Sequence, residues 1–185
     1  MKYLKFYENY ESDEDDYEDD YEEIQIPKTS IEGEFYHGSV IQDCEFFSDL
    51  DPNYSDWLAV WFSDKEDIAK KFGESSYREE DDEYLVILKA KIESQNIADL
   101  MDIDLVEELK DFYMIEDFRE IIPILIEKGF DGWVTTGSID GYQYVDYAIF
   151  DDDIYDIKEA KINARGWTEY MPLDKAKQFL SSVCD

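Results

Sequence analysis

The sequence predicts an α+β fold with largely antiparallel sheets, and three observations carry that expectation. Short β-prone runs rich in aromatic and branched residues recur at 57–62, 84–92 and 142–150. Apolar residues at helical spacing recur between them, as in Leu105, Val106, Leu109 and Phe112. Strands and helices then alternate without the regularity of repeated βαβ units. The expected architecture is two small, mostly antiparallel sheets flanked by helices.

Residues 1–10 hold Tyr3, Leu4, Phe6 and Tyr7, which suit a short strand or an apolar tail. Residues 8–23 carry eleven acids interrupted mainly by tyrosines, a self-repelling run with little to bury. An acidic, disordered arm over 1–23 is therefore expected, followed by a single domain over 24–185. A solvated linker explains the arm; an acidic competitor for a basic groove is the sharper reading.

Residues 34–39 read as a short strand ending in a turn. Residues 43–56 are irregular, with Pro52 and Asn53 marking a turn. The apolar run 57–62 reads as a buried strand. Ser63-Asp64-Lys65-Glu66 has the form of a capping box, which starts a helix that Gly73 should stop. Its inner face is Ile68, Ala69 and Phe72. A polar loop over 74–83 leads to a strand at 84–92. Two helices fill 100–128, the second marked by Ile121, Leu125 and Ile126, with Pro123 in its first turn or at a kink and Gly129 at its end. A strand pair follows, 133–136 and 142–150, joined through a turn over 137–141. A third strand is expected at 157–162 and a short amphipathic helix at 174–183.

Composition excludes several functions. The chain has 185 residues, 44% hydrophobic, with 49 acids against 17 bases and a net charge of −32. That balance opposes direct nucleic-acid binding, which draws on lysine and arginine. It favours partners with basic surfaces, such as proteins that themselves bind nucleic acid. Cys44 and Cys184 have no metal spacing; a disulfide between them is open but nothing favours it, so they read as free thiols, and no metal is expected. With no signal segment and no apolar run of about 18 residues, a soluble cytoplasmic protein without membrane contact is expected.

One residue breaks the strand pattern at 142–150. Val145, Tyr147 and Ile149 share one face, so Asp146 falls on the other with Tyr144, Ala148 and Phe150. A carboxylate there is costly unless it is hydrogen-bonded, at the rim, or functional. A rim position or a lysine partner would explain it without function.

Three stretches then fall in a recognisable order: Phe35-Tyr36-His37-Gly38-Ser39; Val60-Trp61-Phe62-Ser63-Asp64 before a helix bearing Ala69; and Gly129-Phe130-Asp131-Gly132 with Val145-Asp146-Tyr147-Ala148-Ile149-Phe150-Asp151 and Ile157-Lys158. Over residues 34–162 this order resembles the ADP-ribosyltransferase fold. It is particularly similar to the compact versions of phages and mobile elements, including anti-CRISPR ADP-ribosyltransferases. The resemblance implies NAD as substrate, bound in a cleft between the two sheets. By position, His37 would hold the adenosine-side ribose hydroxyl. Gly38 and Ser39 continue that motif, with Gly38 offering backbone groups to the nicotinamide amide. Ser63 would line the nicotinamide-ribose pocket, and Phe62 or Phe72 would pack on the ring. Asp146 falls where the family keeps a catalytic glutamate. Such a carboxylate stabilises the positive charge that develops on the ribose as nicotinamide leaves.

Structural roles remain open beside these. His37 is the sole histidine and follows two aromatics, as a core histidine would. Ser63 is explained by capping, and Gly38, Gly132 and Gly141 by turns. Two departures from the family pattern stand out: Asp146 is one methylene shorter than glutamate, and Tyr144 stands where arginine- or asparagine-modifying members carry Glu or Gln. The target side chain therefore does not carry over. The expected function is a mono-ADP-ribosyltransferase acting on a basic, nucleic-acid-binding host protein, in a setting such as phage counter-defence in a bacterial cytoplasm. The alternative is a non-catalytic acidic mimic of nucleic acid on a transferase-like scaffold.

Overall fold

The computed structural model describes residues 24–41, 58–76, 84–139, 141–164 and 166–183. The expectations for the acidic arm, both cysteines, the irregular stretch 43–56 and most of the loop 74–83 lie outside the described residues. The elements are β1 (Lys28–Ile41), β2 (Val60–Ser63), α1 (Glu66–Ser76), β3 (Tyr84–Leu100), α2 (Ile103–Tyr113), a 3₁₀ turn (Phe118–Ile121), α3 (Ile122–Glu127), β4 (Gly132–Ile139), β5 (Tyr142–Ile149), a second 3₁₀ turn (Asp152–Ile154), β6 (Tyr155–Asn163), β7 (Met171–Pro172) and α4 (Leu173–Val183).

The α+β class holds, but two separate sheets do not form. The described strands make one seven-stranded sheet, ordered β1-β2-β5-β4-β3-β6-β7, in which β1 also pairs with β3. The reason is the length of β3. Its 17 residues run well beyond the expected 84–92. Along β1 it pairs antiparallel almost throughout. On its other side residues 85–92 pair with β6, whereas 97–100 pair in parallel with β4. One strand thus serves both halves, and the pairings β1-β2-β5-β4-β3 close back on β1. The sheet is mixed because of that parallel pairing.

The bend within β3 has an identifiable cause. Ile31 aligns with Ser94 but Thr29 aligns with Ile97, so β3 carries an extra residue there. Ile92 and Ile97 are an odd number of positions apart, yet both enter the same core cluster. The bulge resets the alternation. A polar network fixes it: Ser94 Oγ accepts from the Asn96 N–H at 3.0 Å and donates to Asp131 Oδ2 at 2.7 Å, and the Asp131 N–H donates to Asn96 O at 3.0 Å.

The core has three parts. Ile31, Phe35, Val60, Phe62, Ile92, Ile97, Val134 and Ile149 fill the space ringed by the closed strand set. Leu109, Ile121 and Leu125 of the helical segment pack with Ala98, Leu100, Trp133 and Ala148. Ala176 and Leu180 of α4 cover Ile41, Val86, Leu88, Ala160 and Ile162. Apolar residues recurring at helical spacing on α2 and α4 meet strand faces of period two, which is what stabilises these short helices.

Several local expectations change. The strand read over 34–39 does not end in a turn; β1 runs on to Ile41, because His37, Gly38 and Ser39 pair in register with Leu88, Ile87 and Val86 of β3. Ser63 is not the helix cap. It pairs with Asp146 in extended conformation, so α1 starts three residues later, with the Ile68 and Ala69 N–H groups donating to Lys65 O. Ser63 Oγ instead accepts from the Lys65 N–H at 3.2 Å and turns the chain out of the strand. Gly73 does not end α1, which continues to Ser76. A Cβ at Gly73 would collide with Leu85, so this glycine lets the helix approach the sheet closely. Pro123 does sit in the first turn of α3, and Gly129, at φ +79°, follows its end.

Candidate functional site

β2 is only four residues long, and its one aligned pair with β1 is Tyr36 with Ser63. Either side of that pair the two strands have no ladder between them. His37 spans the gap with its side chain: its Nδ1–H donates to Trp61 O at 2.7 Å. This bond fixes the proton on Nδ1 and leaves Nε2 as an acceptor. Burial holds the imidazole pKa below its ordinary value, outweighing the opposing pull of the Trp61 carbonyl, so the ring is neutral near pH 7.

A cavity of about 460 Å³ opens where the strands part. β1 contributes Tyr36, His37 and Gly38; β2 contributes Trp61, Phe62 and Ser63. Ala69, Phe72 and Ser75 of α1 form another wall, Asp146 comes from β5, and Arg119 comes from the first 3₁₀ turn. The wall made by α1 depends on Gly38. A Cβ there would overlap Ala69 O and lie 2.8 Å from its carbonyl carbon and 3.0 Å from Gly73 N. Two glycines, one on each element, thus draw the helix onto the strand.

Six of the seven residues singled out in the sequence line this cavity: His37, Gly38, Phe62, Ser63, Phe72 and Asp146. Ser39 is not in the lining and pairs with Val86 along β1. Phe62 is 2% exposed and its ring belongs to the interior, 5.8 Å from His37 and 5.4 Å from Tyr155 between centroids. Phe72 is half-buried, steadied edge-on by Tyr144 at 5.2 Å, and presents its ring on the α1 side. Tyr144 itself fits because Gly137 leaves room for its ring.

Asp146 is, with Trp133 and Tyr170, one of three described residues that keep a buried polar atom without a hydrogen-bond partner. Its Cα partner across β2 is Ser63 and across β4 is Thr135. Oδ1 is buried and meets no hydrogen-bond donor. Loss of water pushes the carboxyl pKa up to about 7, against a smaller lowering by a hydrogen bond from the Tyr147 backbone. A carboxyl in this state is half ionised near neutral pH and can accept from a ligand hydroxyl.

Sequence reading missed Tyr36, Trp61, Ser75 and Arg119. The first two stand inside the quoted stretches next to residues that were singled out, and Ser75 lies one turn beyond Phe72, so adjacency could have found them. Arg119 had no such signal. It is the one arginine among the described residues and reaches the cavity only because the 3₁₀ turn folds there. Asp117 caps that turn, accepting from the Arg119 N–H at 3.0 Å, and also grips the guanidinium through Nε and Nη2. That grip lowers the Asp117 pKa to about 2.

Among the described residues, no group of three or more His, Cys, Asp or Glu could hold a metal ion. No helix among them is long and apolar enough to cross a membrane. No family model matches the chain, and no curated protein matches it. Among solved structures, the crystal structure of the M. tuberculosis MbcT–MbcA toxin–antitoxin complex is similar, with a TM-score of 0.44 and 9% identity, covering 84% of this chain and 92% of that one.

Proposed function

We propose that the chain is a mono-ADP-ribosyltransferase that binds NAD in the cavity between β1, β2 and α1. The observation that carries this reading is Asp146: a buried carboxyl, unpartnered at Oδ1, facing a cavity that also gathers His37, Ser63 and Phe72. These residues lie on four elements spread over more than a hundred positions of chain.

The residues fit the substrate. The cavity size is in the range of small-molecule sites, mostly apolar with a few convergent polar groups. NAD supplies a glycosidic bond whose cleavage leaves positive charge on the ribose. Asp146 accepts from a ribose hydroxyl and, as carboxylate, stabilises that charge. The neutral His37 accepts through Nε2 while its Nδ1–H stays on Trp61 O. Phe72 offers a ring face to the nicotinamide, and α1 excludes water from the α1 side. With a net charge of −32, the protein favours a macromolecular target with a basic surface. We take that target to be a host nucleic-acid-binding protein, as the resemblance to phage-borne transferases implies.

The same charge favours a second reading, a non-catalytic mimic of nucleic acid. Thermal unfolding with and without NAD separates the two. A ligand at 100 times its Kd should stabilise by about 2.7 kcal/mol. No shift at millimolar NAD rejects the transferase and leaves the mimic. Where a shift occurs, mass spectrometry of host proteins after expression should show the ADP-ribose addition.

A further inference from the structure

The helical segment presents an outer face that the core does not use. α2 buries Leu109, and its Leu105, Val106 and Tyr113 pack against the same cluster. Ile103, Glu107 and Asp111, spaced by four, run along the side turned away from Leu109, and Met114 follows at the end. Ile103 is 71% exposed and Met114 90%. Met114 is the C-cap of α2 and holds a left-handed conformation at φ 53°, a position that suits glycine or asparagine better. A large apolar side chain thus sits where backbone and solvent both disfavour it, which local stability does not explain. Of the large apolar residues exposed among the described residues, five fall between 101 and 126: Met101, Ile103, Phe112, Met114 and Ile126. Over residues 101–127 nine acids stand against two bases. The face is apolar and acidic at once, so a segment that covers it must be apolar and basic.

The chain carries such a segment. Residues 1–7 hold two lysines, Lys2 and Lys5, no acid, and the apolar or aromatic side chains of Tyr3, Leu4, Phe6 and Tyr7. The next sixteen residues carry eleven acids, which the acidic helical segment repels, so they cannot take that place. The point of entry is favourable. Ile24 and Ile26 pack against the same cluster as the inner face of α2, and Pro27 O accepts from the Asp99 N–H at 2.9 Å, just before α2 begins. Sixteen residues span at most about 55 Å, whereas α2 is about 16 Å long, so residues 1–7 can reach the whole face. Tethering at such range supplies a roughly millimolar effective concentration, at which even a weak contact is populated.

We propose that residues 1–7 dock in cis on the outer face of α2, their apolar side chains against Ile103 and Met114 and their lysines towards its acids. Glu107 is taken by Lys110 at 3.2 Å, which leaves Asp104 and Asp111 to meet Lys2 and Lys5. The acidic run 8–23 is then a tether between the docked tip and the strand that starts at Lys28. The inference does not depend on what the cavity binds. A basic, apolar partner protein would compete with residues 1–7 for the same face.

Methionine oxidation reads the face directly, because a covered thioether reacts slowly with peroxide. The full chain is treated with dilute hydrogen peroxide, and sulfoxide formation at Met114 is followed by mass spectrometry. Three variants are compared with wild type: Leu4→Ser with Phe6→Ser, Lys2→Glu with Lys5→Glu, and Ile103→Ser. Circular dichroism should show all three folded, since none of these positions is in the described core. Met114 should oxidise roughly 3- to 10-fold more slowly in wild type than in the Leu4/Phe6 variant. The Lys2/Lys5 variant should lose part of that protection, and 1 M salt should have the same effect on wild type. Ile103→Ser, on the other side of the contact, should raise the Met114 rate as well. An equal rate in wild type and the Leu4/Phe6 variant overturns the docking. Protection that fades on dilution, with a dimer in sedimentation, assigns the face to residues 1–7 of a second copy and overturns docking in cis. Protection kept in both N-terminal variants but lost in Ile103→Ser assigns the cover to another part of the chain and overturns the proposal.

Discussion

Two serines, Ser63 and Ser94, are the buried polar residues of the described chain, at 1% and 6% exposure. Each hydroxyl accepts from the backbone N–H two residues on, at 3.2 Å from Lys65 and 3.0 Å from Asn96. Each stands near an aspartate from a later element. Ser94 completes the pair: its hydroxyl donates to Asp131 Oδ2 at 2.7 Å, and the β3 bulge is locked. Ser63 does not: it is paired with Asp146 in register, yet Asp146 Oδ1 is buried without a donor. The same residue types thus give a satisfied structural joint in one place and an uncompensated acid in the other. The fold tolerates the second because a cavity adjoins it, and a cavity can bring its own donor. Satisfied buried polar groups rigidify a fold, whereas unsatisfied ones cost stability and mark function.

The largest test of this contrast is Asp146→Asn. Turnover should fall roughly 10²–10³-fold while NAD still binds. A fully active Asn variant would sink the assignment of Asp146. Asp146→Glu should retain part of the activity. Stability should move the other way. The folded carboxyl, with its pKa near 7, holds a proton that the unfolded chain releases near 3.8. The contribution of this carboxyl to wild-type stability is therefore lost as pH rises from about 4 to 7 and is level above that. Asp146→Asn should be more stable than wild type at pH 8, by at most about 4 kcal/mol, with no advantage at pH 4. Chemical denaturation at the two pH values reads this directly. In the wild type, kcat/KM should rise with pH through about 7, because the free protein must release that proton to act. A profile flat from pH 5 to 9 would contradict it.

Next in size is the close approach that shapes the cavity. Gly38→Ala puts a methyl against the Ala69 backbone, which must shift α1. A loss of about 1–3 kcal/mol is expected, with weaker NAD binding as the wall moves. An unaltered variant would show that α1 is free to slide. At the bulge, Ser94→Ala strands the Asp131 carboxylate and the Asn96 N–H. It should cost about 1–3 kcal/mol in unfolding experiments and leave NAD affinity unchanged. That is the opposite sign from Asp146→Asn, and equal signs would dissolve the comparison.

The smallest effect is expected at His37→Ala. Removing the bond to Trp61 O should cost about 0.5–1.5 kcal/mol of stability, and the lost contact a comparable amount of NAD affinity. A stability loss without any change in affinity would make His37 a strand joint alone.

The sequence by itself determined the α+β class and most of the elements. Alternation put Asp146 on the face opposite Val145, Tyr147 and Ile149, and those three do pack into the interior. Helical spacing located the segments that became α2 and α4, because the faces that must be buried are written into residue order. Tertiary structure decided the rest. One bulge at Ser94 resets the phase of β3 and lets a single strand serve both halves of the sheet, and no local pattern encodes which partner a strand meets after a bulge. Pairing with β5 overrode the capping signal at Ser63, which is held extended in register with Asp146. The arrival of Arg119 at the cavity, and the absence of a donor at Asp146 Oδ1, depend on contacts between residues far apart in the chain. Periodicity tells a residue which way to face; only the packed fold settles what it faces.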